Sequence, residues 1–160
     1  FNIGRFDQQK GHDRLIRAFE KIYKQDNNTR LYILSSYGPI KEKTLEQINK
    51  SSAKEAITVF NRMSNPYLLL GKVDAFVLSS YYEGLGLVVY ESMYVETPVI
   101  SVDLDTTTQF LKDSDVILVE NSEEGLVDGM NRFINNERPT TKFDFKKYES
   151  DRVKEFEKLF

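Results

Sequence analysis

Ala75-Phe76-Val77-Leu78-Ser79-Ser80-Tyr81-Tyr82-Glu83-Gly84-Leu85-Gly86-Leu87-Val88-Val89-Tyr90-Glu91 is the stretch whose reading decides the fold. Residues 75–78 are apolar at every position, as expected of a strand buried on both faces in a parallel sheet. Two glycines then make a turn, and a helix starts behind them. Such a turn brings bare backbone N–H groups at a helix start close to a bound anion. Glu83 and Glu91 flank it. Negative charge is favourable at a helix start for its own sake, so this stretch in isolation does not demand a ligand.

Working outward, the same alternation recurs along the chain. Residues 1–3 form a short apolar strand that breaks at Gly4-Arg5. Leu15, Ile16, Phe19, Ile22 and Tyr23 recur at helical spacing from His12 onward. Strands are predicted at 30–34 and 56–60, with a more polar helix between them marked by Leu45 and Ile48. Ser64-Asn65-Pro66 signals a helix start, with Asn65 as cap and Pro66 at the first helical position of a short helix through Lys72. The helix after the glycine turn is predicted to run to about Val95. Strands follow at 98–102 and 116–119, and a helix from about Ser122 to Asn135 uses Leu126, Val127, Met130, Phe133 and Ile134. Strands alternating with helices predict an α/β domain: a Rossmann-like, mostly parallel sheet with helices on both faces.

Composition narrows the function. A length of 160 residues suits one domain with a full core, and a formal net charge of -3 gives no reason to expect nucleic acid. Without cysteine there is neither a disulfide framework nor a thiolate metal site, which fits a reducing, cytoplasmic compartment. Apolar runs are too short to span a bilayer. The chain opens on a strand already under way and without Met, so it reads as an excised piece of a longer protein whose missing N-terminal part is a separate domain. Residues 1–136 read as the domain proper. Residues 137–160 read as a polar connection containing Pro139 and then a helix with Val153, Phe156, Leu159 and Phe160 spaced as one face. That helix would pack on this domain or brace the missing one.

In open parallel sheets ligands collect beyond the carboxyl ends of the strands. Those ends carry Gly4-Arg5, residues 35–38, Asn61-Arg62-Met63, residues 79–83 and residues 103–108. Arg5 and Lys10 bracket the first loop, where two flexible cations could reach a diphosphate, although lone basic loop residues are often only solvated. Glu83 and Glu91 are acceptors, and each could hold the vicinal hydroxyls that sugars and ribose offer. A two-carboxylate hydrolase needs its pair facing across a scissile bond at a set separation, and nothing in this spacing supplies that. His12 reads as the start of a helix.

Gly4-Arg5 with Lys10-Gly11, the strand Asp74-Ala75-Phe76-Val77-Leu78-Ser79-Ser80, Glu83-Gly84-Leu85-Gly86-Leu87-Val88 with Glu91-Ser92-Met93, and Thr97-Pro98-Val99-Ile100 resemble glycosyltransferase family 4 over about the first 135 residues. The resemblance implies the C-terminal, donor-binding half of a GT-B enzyme, a hexosyltransferase that moves a sugar from a nucleotide donor with retention at the anomeric carbon. Arg5 and Lys10 would bind the diphosphate and stabilise the departing nucleotide. Glu83 would hold the donor sugar's hydroxyls, Glu91 the ribose, and the amides of Gly86, Leu87 and Val88 the phosphate and sugar. Arg62 or Met63 would pack the nucleobase. The resemblance further implies a nucleotide-sugar substrate, a UDP-sugar before others, and no further cofactor. The acceptor, a glycan or glycopolymer, would be held through the missing N-terminal domain, with room for peripheral membrane association of the full-length protein.

Some positions depart from the family pattern. Glu96 and Asn61 stand where glycine is usual, and Asp105-Thr106-Thr107-Thr108 replaces a more glycine-rich loop near the donor sugar. Asp103-Leu104-Asp105 has the form of the Asp-x-Asp metal motif of the other large glycosyltransferase fold, but it ends a late strand in this architecture, and no metal is predicted. Ser64-Asn65-Pro66 and residues 120–125 resemble branches acting on bacterial cell-wall glycopolymers of the teichoic acid type. Two other functions remain open: a nucleotide-binding or interaction module without chemistry of its own, and a nucleotide-sugar epimerase of related architecture.

Overall fold

The structure, a computed structural model, describes residues 1–84, 86–104 and 115–139. Leu85, the loop residues Asp105, Thr106, Thr107 and Thr108, and the expected tail helix at 153–160 lie outside the described residues. So does the last member of the Asp103-Leu104-Asp105 motif.

The described residues form six strands: β1 (Asn2–Ile3), β2 (Leu31–Leu34), β3 (Ile57–Phe60), β4 (Phe76–Leu78), β5 (Val99–Val102) and β6 (Ile117–Val119). The helices are α1 (His12–Gln25), α2 (Lys41–Lys50), α3 (Tyr67–Leu70), α4 (Leu87–Tyr94) and α5 (Glu123–Ile134). Every pairing among these strands is parallel. β1, β2 and β3 form one set in that order, with Asn2 opposite Ile33 and Leu31 opposite Ile57. β4, β5 and β6 form the other, with Phe76 opposite Val99 and Ile100 opposite Ile117.

The two sets meet at β1 and β4. The Phe1 nitrogen donates to the Ala75 carbonyl at 2.8 Å, and the Val77 N–H donates to the Phe1 carbonyl at 2.8 Å, the slanted pattern of a parallel bridge. One residue later a side chain replaces the ladder, with Asn2 Nδ2 donating to the Val77 carbonyl at 2.9 Å. The strand order is therefore β3-β2-β1-β4-β5-β6, and its direction of progression reverses between β1 and β4. Where the order reverses, the connections from the two strands lead to opposite sides and leave a crevice between them.

Burial explains the sequence pattern. β4 is buried at all three positions and β5 at all four, which requires cover on both faces. α5 lies against β5 and β6, where Gly129 approaches Ile100 and Val119 closely enough to leave no room for a side chain. α4 packs on β4 and β5, and α1 packs along α5. Leu15, Ile16, Phe76, Ile100 and Leu126 are at most 1% exposed and fill the space between layers.

Two local differences from the sequence reading have plain causes. The helix expected to run through Lys72 ends at Leu70, because Gly71 follows and its N–H bonds back to Tyr67 and Leu69. Asn65 does supply its cap, with Oδ1 accepting from the Tyr67 N–H at 3.0 Å, while Pro66 already holds helical angles. The loop before α1 is not irregular throughout. Residues 8–10 form a 3₁₀ turn capped by Asp7, whose carboxylate accepts from the Gln9 N–H at 3.2 Å.

Candidate functional site: the crevice between β1 and β4

A cavity of about 740 Å³ opens at the carboxyl ends of β1, β2, β3 and β4. Arg5, Lys10, Arg62, Met63, Glu83, Gly86, Leu87 and Val88 all line it, so five separate segments of sequence contribute to one space. A second cavity, of about 730 Å³, lies by Phe1, Leu31 and Ala75 at the amino ends of the strands, away from the crevice.

Glu83 and Lys10 connect the two walls. Lys10 Nζ lies 2.7 Å from Glu83 Oε1, and the side chains are 21% and 8% exposed. Ser80 Oγ donates to the same carboxylate oxygen at 2.6 Å, and Gln9 Nε2 reaches Oε2 at 3.4 Å while donating to the Tyr82 carbonyl at 2.9 Å. A carboxylate withdrawn this far from water is tolerable because charged and neutral donors replace its hydration. The loops themselves are tied by main chain, the Tyr81 N–H donating to the Gln9 carbonyl at 2.8 Å, and by Ser79 Oγ donating to the Lys10 carbonyl at 2.9 Å. Gly11 makes this approach sterically feasible. Its φ is 62°, and a Cβ there would sit 2.0 Å from the Ser79 carbonyl oxygen.

The floor is the start of α4. Gly86 is its N-cap in the left-handed region, at φ 56° and ψ 38°, with no side-chain cap on the first turn. The Val89 N–H bonds back to the Gly86 carbonyl at 2.9 Å, while Leu87 and Val88, whose amides no side chain caps, line the cavity at the positive end of the helix dipole. Arg5 stands at the rim with its side chain 54% exposed, paired loosely with Asp7 at 3.6 Å.

Glu91 is placed differently. It sits one turn along α4 and is not among the described residues lining the cavity. Its carboxylate stands near the Tyr67 hydroxyl on α3, and its charge, with a smaller hydrogen-bonding contribution, holds the Tyr67 phenol above the usual tyrosine range. His12 is fully buried at the head of α1, tilted against the Phe6 ring at 5.3 Å, with neither ring nitrogen hydrogen-bonded. Burial pushes it down to about 4, so it is a neutral packing group. Among the described residues no cluster of three or more histidine or acidic side chains could hold a metal ion.

Two contributors were not singled out in the sequence. Gln9 gives no signal, being one polar residue in a polar loop. Arg14 does give one: it is a charged residue on the buried stripe of α1, alongside Leu15, Ala18 and Ile22. Its guanidinium lies beneath the β4–α4 loop.

The family model described as "Glycosyl transferases group 1" matches residues 1–151. The chain belongs to the group 1 glycosyltransferases. An uncharacterized glycosyltransferase of Methanocaldococcus jannaschii is 38% identical over 105 residues, 66% of this chain and 26% of that protein. The poly(ribitol-phosphate) alpha-N-acetylglucosaminyltransferase of Staphylococcus aureus is 26% identical across 93% of this chain and 31% of its own length. Among solved structures, a mutant of S. aureus TarM in complex with Fondaparinux, alpha-GlcNAc-glycerol and UDP superposes with a TM-score of 0.78 at 26% identity, covering 84% of this chain and 28% of that one. This group 1 chain thus spans between about a quarter and a third of these relatives. Its parallel sheet with flanking helices is the Rossmann-like half of a GT-B glycosyltransferase. Among the described residues no helix is long and apolar enough to cross a membrane.

Proposed function

We propose that this chain is the donor-binding half of a retaining glycosyltransferase, which transfers a hexose from a UDP-sugar to a glycan or cell-surface polymer. One observation carries the reading. Arg5 and Lys10, from the β1 side of the crevice, and Glu83 with the open first turn of α4, from the β4 side, line a single cavity.

The chemistry follows from charge. Breaking the bond between the anomeric carbon and the diphosphate leaves negative charge on the departing nucleotide. Lys10 and the amides of Gly86, Leu87 and Val88 are cationic or dipolar groups held in place before that charge develops, the arrangement that lowers such a barrier, and the half-exposed Arg5 adds a second cation from the rim. Glu83 is an acceptor on the sugar side and orients hydroxyls. Arg62 and Met63, beyond β3, offer a surface for the base. Glu91 is assigned to the ribose hydroxyls at the rim, in competition with Tyr67. Residues 1–136 act as the donor domain, and residues 137–160 as a connection and bracing helix. The acceptor and the second wall of the cleft belong to another domain of a longer protein, cytoplasmic and working at the inner face of the membrane. The similarity to a poly(ribitol-phosphate) glycosyltransferase supports a cell-wall polymer as acceptor.

Calorimetric titration with UDP, UDP-glucose and UDP-N-acetylglucosamine tests this. Binding that weakens in Arg5→Ala and Glu91→Ala supports it, and no binding by a folded chain overturns it. Product analysis with a longer protein then separates the alternatives: a new glycoside marks transfer, and a free epimerised nucleotide-sugar marks an epimerase.

A further inference from the structure

Arg14 is 3% exposed, and its hydrogen bonds all go to carbonyl oxygens. Nε donates to the Ser79 carbonyl at 2.9 Å and Nη2 to the Ser80 carbonyl at 2.7 Å. Nη1 reaches the Asn121 main-chain carbonyl at 3.2 Å, and Nη2 its side-chain Oδ1 at 2.6 Å. The guanidinium carbon stands 4.1 Å from the centre of the Tyr81 ring. Asn121 closes the bracket, with Nδ2 donating to the Tyr81 carbonyl at 3.1 Å.

For stability alone this is a costly arrangement. A buried cation spent on neutral carbonyls recovers less of its lost hydration than one facing a carboxylate, and an apolar side chain on the same stripe would fill the space without that cost. What the guanidinium does supply is geometry: a planar fork that fixes several acceptors in one plane, which a lysine cannot reproduce. The acceptors it fixes on that loop are the carbonyls of two consecutive residues behind Glu83, Ser79 and Ser80, while Asn121, itself bonded to Arg14, holds the next one at Tyr81. Ser80 makes the link direct, since its carbonyl is held by Arg14 and its hydroxyl donates to Glu83.

We propose that Arg14, with Asn121, is a positioning residue for Glu83, holding the β4–α4 loop so that the Glu83 carboxylate stands in the crevice at the height of the donor sugar. Its effect on ligand rests on the donor-binding reading, since Arg14 is not among the described residues lining the cavity. Arg14 therefore governs how much tighter UDP-sugar binds than UDP, and leaves the nucleotide's own affinity almost unchanged.

The test is a binding cycle on the full chain with UDP and UDP-N-acetylglucosamine, in the parent, Arg14→Lys, Glu83→Gln and the double variant. Arg14→Lys is expected to reduce the sugar's increment in affinity about tenfold, as loss of an oriented charged hydrogen bond does, while UDP alone shifts less than about twofold. The double variant should be no weaker than Glu83→Gln, because two changes acting through one contact do not add. An unchanged increment in Arg14→Lys, or losses that multiply, overturns the proposal. If Glu83→Gln itself leaves the increment intact, the donor-sugar role of Glu83 fails, and amide hydrogen exchange then decides the positioning claim. Faster exchange at Tyr81, Tyr82 and Glu83 in Arg14→Lys, with β5 amides unchanged, supports it; unchanged exchange at those amides overturns it. Should Arg14→Lys not fold, Asn121→Ala is measured against the same criteria.

Discussion

Lys10 Nζ and Glu83 Oε1 lie 2.7 Å apart, joining the loop after β1 to the loop after β4 across the point where the strand order reverses. This pair makes the crevice a structured site before any ligand arrives.

Removing one partner should therefore cost more than removing both. Lys10→Met removes the cation paired with the 8% exposed Glu83 carboxylate, and is expected to lower unfolding free energy by about 2 kcal/mol. Adding Glu83→Gln should restore roughly half of that. Urea unfolding of the two single variants and the double variant reads the coupling, and additive losses would contradict it.

Arg5 is half exposed and only loosely paired with Asp7, so its removal should be silent in stability and audible in binding. Arg5→Ala is expected to leave the melting temperature unchanged and weaken UDP about tenfold at low salt, as loss of one charge-assisted contact to phosphate would. Titrations at two ionic strengths check both parts.

The two glycines Gly11 and Gly84 should differ sharply in their response to alanine. At Gly11 a Cβ meets the Ser79 carbonyl oxygen at 2.0 Å with φ at 62°, so Gly11→Ala must push the two loops apart and should cost roughly 3 kcal/mol or more. At Gly84 no described residue other than its chain neighbours lies within 4 Å of the added carbon, and Gly84→Ala should be close to neutral. Thermal unfolding of the two variants is the check.

His12 should make the fold acid-sensitive. Burial is the main cause of its lowering from 6.5 to about 4, with nearby Lys10 acting in the same direction and Asp13 opposing. The unfolded chain then binds a proton that the folded chain refuses. The contribution of His12 is fully present above the unfolded value and shrinks as pH falls from 6.5 toward about 4, by about 3 kcal/mol over that window. His12→Leu should flatten this part of the stability profile, measured by urea midpoints at successive pH values.

Glu91 and Tyr67 offer a spectroscopic check on the rim. Glu91→Gln removes the charge that raises the Tyr67 phenol, so the Tyr67 titration should move down toward the ordinary tyrosine value. Nuclear magnetic resonance of labelled tyrosine follows it residue by residue. A titration unmoved by the substitution would separate the two side chains.

Local sequence was sufficient for the elements. The unbroken apolar run at 75–78, the stripe from Leu15 to Ile22 and the glycine turn before Leu87 each specify their structure through burial period and backbone freedom, which act over a few residues. The residues of the cavity were legible for the same reason, since strand ends can be read once the strands are. Gln9 was not legible, because its role depends on Tyr82 and Glu83, more than seventy positions away. Arg14 was visible as a misplaced charge, but its partners at Ser79, Ser80 and Asn121 were not.

The sequence by itself determined an alternating parallel α/β domain and a set of cations, carboxylates and bare amides at its strand ends, because composition and period act locally. Only the tertiary structure decided that β1 lies beside β4, that Lys10 pairs with Glu83, and that Glu91 turns to Tyr67 beside the cavity. Those outcomes are set by long-range strand order and by which buried charges must find partners, and neither quantity is carried by any single stretch of chain.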